Sequence, residues 1–159
     1  MIDSETFRDA MRSWVTGVSI ISVQTPTARH GMTVNSFTSV SLDPPLILVC
    51  IQNNLRILGL IKEAQAFAIS VLRADQAELS NRFAGRSTEN VDRFEGVPTH
   101  TVITGAPILD EALAYFDCAL EVEHPASTHT IFVARVLAAK RADGQPLLYW
   151  NRGYRKLES

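Results

Sequence analysis

Hydroxyl and amide side chains are concentrated in one segment, GMTVNSFTSVSLDPP, residues 31–45. They are Thr33, Asn35, Ser36, Thr38, Ser39 and Ser41. These side chains offer many hydrogen-bond donors and acceptors within a short stretch. Gly31 at one end allows a close approach of the backbone to a neighbour, and Pro44-Pro45 at the other end is expected to stop a strand ladder. The segment therefore indicates either the wall of a binding site or a polar edge strand that ends in a turn.

Two further polar segments could complete such a site. QNNLR, residues 52–56, precedes a helical pattern for which Asn54 is the predicted N-cap. A helix N-terminus offers free backbone N–H groups to an anion, and Arg56 can add charge-assisted hydrogen bonds. NRFAGR, residues 81–86, adds Arg82 and Arg86. Any one of these arginines alone is more typical of a solvated surface, but the three segments together predict a site for a ligand with phosphate and amide groups.

Covalent catalysis by a side chain is not indicated. Neither Cys50 nor Cys118 has a histidine near it in the sequence, no GxSxG motif occurs, and no carboxylate pair stands out. Both cysteines lie in apolar runs, which predicts buried, reduced thiols. The 4 histidines form no metal-ligand spacing, so no metal is expected. GxxxxGK[ST] and GxGxxG motifs are also missing, so a nucleotide would have to be held in another way.

The composition is that of an ordinary globular protein. With 159 residues, 46% of them hydrophobic and 20% charged, the chain is expected to form a single domain over residues 1–159. A net charge of -2 and the lack of a basic run argue against nucleic-acid binding. The N-terminus lacks the apolar core of a signal peptide, and no apolar window approaches a membrane span. We therefore expect a cytoplasmic protein without a membrane partner.

The first half of the chain predicts short helices between strands. A first helix is expected from Ser4, as N-cap, to an end at Gly17, with Phe7 and Trp14 on its apolar side. Strand patterns follow at 17–25 and in the hydroxyl-rich segment, which predicts a hairpin from 17 to 39.

Continuous apolar runs then indicate buried strands. LILVCI at 46–51 is typical of a central strand buried on both faces, and AFAISVL at 66–72 predicts another. A helix over DQAELSNRFA is expected to start with a capping box of Asp75 and Glu78 and to end at Gly85. Residues 85–100 are expected to form a surface loop with one helical turn at 88–94.

The last third predicts antiparallel strands. Apolar residues from Phe116 to Val122 alternate with Tyr115, Asp117, Glu121 and Glu123, which indicates a strand with one face in water. Two further strands are predicted after it, HTIFVARVLAAKR and QPLLYW, with a turn at Asp143-Gly144 between them. Together the three strands are expected to form a meander. At least seven strands and about three short helices predict a mainly β fold, an antiparallel closed or nearly closed barrel.

Six segments in a fixed order carry a resemblance to a known family. They are FRDAMRSWVTGVSIIS, GMTVNSFTSVSLDPPLILVCI, FAISVLRADQAELSNRFA, GAPILDEALAYFDC, THTIFVARV and PLLYWNRGYRKL. On these segments the chain resembles the short flavin reductase family with the FMN-binding split-barrel fold. That family includes the reductase components of two-component flavin-dependent monooxygenases.

The resemblance implies an NAD(P)H:flavin oxidoreductase. It implies a homodimer of split barrels that binds FMN or FAD at the subunit edge, with NADH or NADPH as hydride donor and a separate oxygenase supplied by diffusing reduced flavin. The cofactors carry out the hydride transfer, so no protein nucleophile is needed. The positions that it implies for flavin binding are Thr33, Val34, Asn35, Ser36, Ser39, Cys50, Ile51, Gln52, Asn53, Asn54, Arg56, Arg82, Phe83, Arg86 and Tyr154.

The nicotinamide side differs from the family pattern. His129 stands at the strand position where the family has a histidine, so the resemblance implies that it positions the nicotinamide. Ser127-Thr128 replaces the Gly-Asp pair that usually precedes this histidine, and Ala134 stands where the family often has glycine. Two other functions stay open at this point: a flavin-binding electron carrier or sensor without efficient NAD(P)H turnover, and a purely structural barrel that binds no flavin.

Overall fold

An antiparallel sheet of seven strands forms the body of the described chain. The computed structural model describes residues 1–85 and 92–158. The helices in these ranges are α1 (Ser4–Met11), α2 (Arg56–Ala64) and α3 (Ala77–Phe83). The strands are β1 (Thr16–Gly17), β2 (Ser19–Gln24), β3 (Arg29–Val34), β4 (Thr38–Leu42), β5 (Pro45–Gln52), β6 (Ala66–Val71), β7 (Thr99–His100), β8 (Ile108–Leu109), β9 (Ala114–Ala126), β10 (His129–Arg141), β11 (Leu148–Trp150) and β12 (Gly153–Arg155).

The order of the strands shows that the sheet is rolled into a barrel. The order is β3-β2-β6-β9-β10-β5-β4, so consecutive strands β3 and β4 lie at opposite edges. In a flat sheet these edges would be about 29 Å apart, six spacings of roughly 4.8 Å. The link from Val34 to Thr38 spans at most about 14 Å. The two edges must therefore curve towards each other, and residues 35–37 cross the gap between them.

The core consists of two clusters of buried side chains, which share strand β2. One cluster of buried side chains contains Ile21, Val23, Val49, Phe67 and Phe132. A second cluster contains Val18, Ile20, Leu72, Phe83, Phe94, Leu109 and Leu147 and is packed against Tyr149 and Tyr154. Because successive side chains of a strand point to opposite faces, β2 supplies residues to both clusters.

Several predicted elements are confirmed. The hairpin of β2 and β3 is present, with Ser22 opposite Gly31. The run 66–72 forms β6 in the middle of the sheet, and β9 pairs with β10. The close approach expected at Gly31 is also present, since a Cβ atom there would lie 2.8 Å from the rings of both Phe83 and Phe94.

The first helix differs at both ends from the prediction. Its N-cap is Asp3, whose Oδ1 accepts hydrogen bonds from the N–H groups of Glu5 and Thr6. Ser4 as N-cap is therefore wrong. The helix ends at Met11, and Gly17 lies in β1 rather than at the helix end.

The caps predicted for the other two helices are also wrong. α2 begins at Arg56 with Leu55 as N-cap and without a side-chain cap hydrogen bond, so Asn54 does not cap it. Gln76 is the N-cap of α3, and the Asp75 carboxylate instead lies 3.7 Å from the guanidinium of Arg73. Residues just before a helix compete for the cap position, and the path of the incoming chain decides between them.

Burial differs from the predicted pattern on β5 and β9. β5 alternates between buried residues such as Val49 and half-buried residues such as Leu48, and it lies next to the edge strand β4, so burial on both faces is wrong. On β9, Asp117 is fully buried and Val122 is 52% exposed. Asp117 accepts hydrogen bonds from the N–H groups of Ile103 and Thr104, so the loop that carries them covers a face expected to meet water.

The Pro44-Pro45 segment and the pairing of β11 also differ from expectation. The ladder continues through the Pro44-Pro45 segment, because Leu42 pairs with Pro45 at the start of β5. β11 pairs with β1 and β12 rather than with β10, so the predicted three-strand meander is wrong. Most of the helical turn predicted at 88–94 lies outside the described residues.

Candidate functional site

A cleft of about 210 Å³ opens where β3, α3 and the β11–β12 hairpin meet. Its lining combines hydroxyl, amide, aromatic and aliphatic side chains. The lining residues are Val18, Thr33, Val34, Asn35, Ser80, Ala84, Tyr149 and Tyr154. The structure thus brings the segment 33–35 together with Tyr154, which is about 120 residues later in the chain.

A hydrogen-bond network fixes the wall of this cleft. The Thr33 hydroxyl donates to the Ser80 carbonyl oxygen over 2.6 Å. The Tyr154 hydroxyl lies 2.9 Å from Ser80 Oγ and 3.0 Å from Asn81 Oδ1. Ser80 is fully buried, and the Tyr154 ring packs edge-on against Tyr149. Three elements are therefore held at fixed positions around the cleft, as a preformed ligand site requires.

Asn35 and Ser36 have different surroundings although they are adjacent. Asn35 is exposed and lines the cleft, so its amide is available to a ligand. Ser36 is turned towards β5, where its hydroxyl donates to the Cys50 carbonyl oxygen over 2.8 Å and lies 3.3 Å from the Cys50 N–H nitrogen. The Ser36 hydroxyl thus replaces a missing backbone ladder between residues 35–37 and β5.

The end of β5 meets the turn between β9 and β10. Gln52 pairs with His129 in the sheet register. Asn53 donates from its backbone N–H to the Thr128 carbonyl and from its side-chain amide to the Ser127 carbonyl, at 3.0 and 2.9 Å. Two segments singled out separately in the sequence are therefore adjacent in the fold. They contribute no lining residue to the cleft around Asn35.

Some of the expected flavin-binding residues have side chains that point into the core or away from the cleft. The side chains of Ile51 and Phe83 are buried, and both belong to the hydrophobic clusters. They can meet a ligand only through their backbone atoms. Cys50 is half-buried, and burial raises the pKa of its thiol, so it stays protonated at neutral pH. Ser39 and Asn54 are exposed and lie outside the cleft lining.

The arginines occupy three different environments. Arg56 is exposed at the first position of α2. Arg82 donates from its guanidinium to the carbonyl oxygens of Asp92 and Glu95, at 3.2 and 2.5 Å, and so holds the chain that follows α3. Arg86 lies outside the described residues.

His30 on β3 has an environment that the sequence did not indicate, although it does not line the cleft. It is half-buried on β3, and its pKa is lowered to about 4, first by burial and then by the positive charges of Arg93 and Arg56. His30 is therefore neutral at physiological pH. A lone histidine in a strand gives no sign of these neighbours in the sequence.

Ser80 and Tyr149 contribute to the cleft and were missed, as were Val18 and Ala84. Ser80 was hidden in a helical pattern, and Tyr149 in the apolar run after the turn predicted at Asp143-Gly144. Among residues 1–85 and 92–158, no group of three or more His, Cys, Asp and Glu side chains is arranged to hold a metal ion. None of the helices described is long and apolar enough to cross a membrane.

Comparison with known proteins gives consistent matches. The family described as "flavin reductase like domain" matches residues 11–158. The chain is 42% identical over 147 residues to the FMN reductase (NADH) SmoA of Agrobacterium fabrum, covering 92% of this chain and 82% of SmoA. It is 36% identical to the reductase component of the 4-nitrophenol 4-monooxygenase/4-nitrocatechol 2-monooxygenase of Rhodococcus opacus, over 94% of this chain and 79% of that one.

A solved structure matches over nearly the whole chain. It is the NADH:FAD oxidoreductase SgcE6 of Streptomyces globisporus C-1027 in complex with NAD and FAD fragments. The TM-score is 0.90 with 31% identity, covering 99% of this chain and 96% of SgcE6. The expected fold class, a mainly β split barrel with short helices, is confirmed by this match and by the strand order.

Proposed function

This chain belongs to the family of flavin reductase-like domains, and from that premise we propose that it is an NADH-dependent flavin reductase. The observation that carries the proposal is the cleft in which Asn35 and Thr33 face Tyr149 and Tyr154. When both cofactors are bound, the nicotinamide supplies a hydride and the flavin accepts it. The protein then has to bind, orient and shield the two rings.

The residues of the cleft fit a flavin ring. The two tyrosine rings and Val34 offer apolar and aromatic surface, which suits a flat heterocycle. The Asn35 amide would hydrogen-bond the polar edge of that heterocycle, and positive charge at Arg56 would attract the phosphate end. Thr33 and Ser80 keep the wall fixed through their own hydrogen bond. Both FMN and FAD are compatible with these residues.

The cleft of one chain is smaller than a usual ligand site. Its volume of about 210 Å³ is below the roughly 300–1,000 Å³ of typical small-molecule pockets. We infer that a second copy of the chain completes the site, in a homodimer. α1 supports this inference, because none of its described residues is buried although Phe7 and Met11 give it an apolar side. Trp14 directly after the helix is 66% exposed.

His129 is proposed to position the nicotinamide. It is exposed at the start of β10, and the register with Gln52 places it at the end of β5. Its Nδ1 lies 2.9 Å from the Thr128 hydroxyl, so its other ring nitrogen is left to face a ligand.

The partner is proposed to be a separate oxygenase supplied by diffusing reduced flavin. The support is the likeness to a protein named as the reductase component of a monooxygenase. Both cysteines are free thiols in the structure, which fits a reducing compartment, and we propose that the protein acts in the cytoplasm.

Steady-state oxidation of NADH tests the proposal. The purified protein is mixed with NADH or NADPH and with FMN, FAD or riboflavin, and the absorbance of the reduced nicotinamide is followed. We expect oxidation to depend on added flavin and to be faster with NADH. No stimulation by any flavin would sink the proposal. Flavin binding without turnover would favour the electron carrier or sensor, and no thermal shift with FMN would favour a purely structural barrel.

A further inference from the structure

Asn53 connects β5 to the β9–β10 turn through both its backbone and its side chain. Its backbone N–H donates to the Thr128 carbonyl at 3.0 Å. Its side-chain N–H donates to the Ser127 carbonyl at 2.9 Å, and its Oδ1 accepts from the Thr130 hydroxyl at 2.9 Å. One residue thus contacts three of the four residues from 127 to 130.

The turn that Asn53 holds is in a demanding conformation. Ser127 has a φ of 55°, in the left-handed region that residues other than glycine adopt infrequently. This is the position at which Ser127-Thr128 replaces a Gly-Asp pair in the resemblance described above. The Asn53 amide donates to the carbonyl group of this residue and so restricts the turn at the position of the replaced glycine.

The network holds exposed residues and not the core. Asn53, Ser127, Thr128 and His129 are all exposed, and only Thr130 is buried, at 5% exposure. A tether among exposed residues adds little to the burial that stabilises the fold. Its main effect is to restrict the turn and the residue that the turn carries, His129.

We propose that Asn53 is a positioning residue that fixes the β9–β10 turn so that His129 faces the nicotinamide. This inference rests on the proposed function and reassigns Asn53 from direct flavin contact to support of His129. The Thr128 hydroxyl completes the arrangement, because it lies 2.9 Å from His129 Nδ1 and orients the ring. Asn53 acts on NADH through His129 and does not touch the reacting atoms.

The test compares Asn53→Ala and the nearly isosteric Thr130→Val with the wild type. We expect Asn53→Ala to raise the KM for NADH about three- to tenfold, as the loss of one or two hydrogen bonds implies, with kcat and flavin affinity nearly unchanged. Thr130→Val, which removes a single bond of the network, should raise this KM by a smaller factor. His124→Ala is the matched control, since His124 is an exposed histidine on the same hairpin that the network does not contact.

Coupling to His129 separates positioning from a general structural effect. If Asn53 acts through His129, the double variant with His129→Ala has the same KM for NADH as His129→Ala alone. The ¹⁵N shifts of the His129 ring are measured by NMR without any cofactor. They should be those of one tautomer in the wild type and should be averaged over the two tautomers in Asn53→Ala. Circular dichroism checks that each variant is folded.

Three results would overturn the inference. They are an unchanged KM for NADH in both Asn53→Ala and Thr130→Val, additive effects in the double variant, and a flavin affinity that falls as much as that for NADH. In each of these cases the wild type and His124→Ala still oxidise NADH with flavin. If they do not, the proposed function itself has failed, and the NMR comparison alone decides whether Asn53 orders His129.

Discussion

Asn35 and Ser36 lie side by side at the gap of the barrel, but they have different partners. The Asn35 amide is exposed at the cleft, while the Ser36 hydroxyl is hydrogen-bonded to the backbone of Cys50. A resemblance at the level of a motif assigns both residues to the flavin. We therefore propose that Asn35 contacts the ligand and that Ser36 closes the barrel.

Alanine substitutions separate these two roles. Asn35→Ala should weaken flavin binding by about 1–3 kcal/mol, because a polar group of the ligand loses its partner, and should leave the free energy of unfolding within about 0.5 kcal/mol. Ser36→Ala should lower the free energy of unfolding by about 1–2 kcal/mol. Flavin titration and urea denaturation measure the two effects, with the exposed Thr38→Ala as control. A larger loss of flavin affinity in Ser36→Ala than in Asn35→Ala would reverse the assignment.

His30 makes the stability of the protein depend on pH. Its pKa is lowered from 6.5 to about 4 in the folded state, so between these values the unfolded chain binds more protons than the folded chain. The free energy of unfolding should therefore fall as the pH is lowered from about 6.5 to about 4. Replacing His30 by Gln should make this fall shallower, as urea denaturation at a series of pH values will show. An unchanged slope in that variant would mean that His30 is protonated as readily as in a peptide.

At the scale of the elements, β3 and α3 touch at Gly31. A Cβ atom at this position would lie 2.8 Å from Phe83 Cε1 and from Phe94 Cζ, which is closer than packed carbon atoms come. The missing side chain is what allows β3 to carry Thr33 to Ser80 on α3. The cleft wall therefore depends on a glycine two residues before it.

Two glycine substitutions with opposite expectations test this packing. Gly31→Ala should lower the free energy of unfolding by about 1–3 kcal/mol through overpacking. Gly59→Ala is the matched change on α2, where a Cβ atom would have no heavy atom within 4 Å, and it should stabilise the protein by up to about 1 kcal/mol. Thermal or urea unfolding of both variants gives the comparison. Equal effects at the two sites would contradict the close contact at Gly31.

The elements also show which features a sequence can predict. Hydrophobic patterns located β2, β6 and the β9–β10 hairpin, because burial of one or two faces leaves a direct trace in residue type. The same patterns did not reveal that a loop covers Asp117 or that β11 leaves the main sheet, since both depend on contacts between distant segments. The polar residues of 31–45 indicated either a binding wall or a polar edge strand, and the resemblance favoured the wall. The partners of this wall, Ser80 and Tyr149, were not predicted, because neither residue type is unusual where it stands in the sequence.

At the scale of the whole molecule, one barrel leaves apolar surface open to water. Besides α1, the exposed apolar side chains include Val40 and Leu42 on β4, one of the two edge strands of the seven-stranded sheet. An uncovered strand edge of this kind tends to pair or to be covered, and two-fold pairing is the commonest arrangement. We expect sedimentation at about twice the 17.6 kDa of one chain. Replacing both Phe7 and Trp14 by Ser should favour the monomer and weaken flavin binding, whereas a monomeric wild type that binds flavin fully would contradict the shared site.

The most direct test of the central claim is the reduction of flavin in the absence of oxygen. Purified protein is mixed with NADH and a large excess of FMN, and in parallel of FAD, and the absorbance of the oxidised flavin is followed. Multiple equivalents of flavin per protein chain should be bleached, with one NADH consumed for each, and Asn35→Ala should slow the reaction at low flavin concentration. Bleaching no faster than in the mixture without protein, although the protein binds flavin, would contradict the assignment as a flavin reductase.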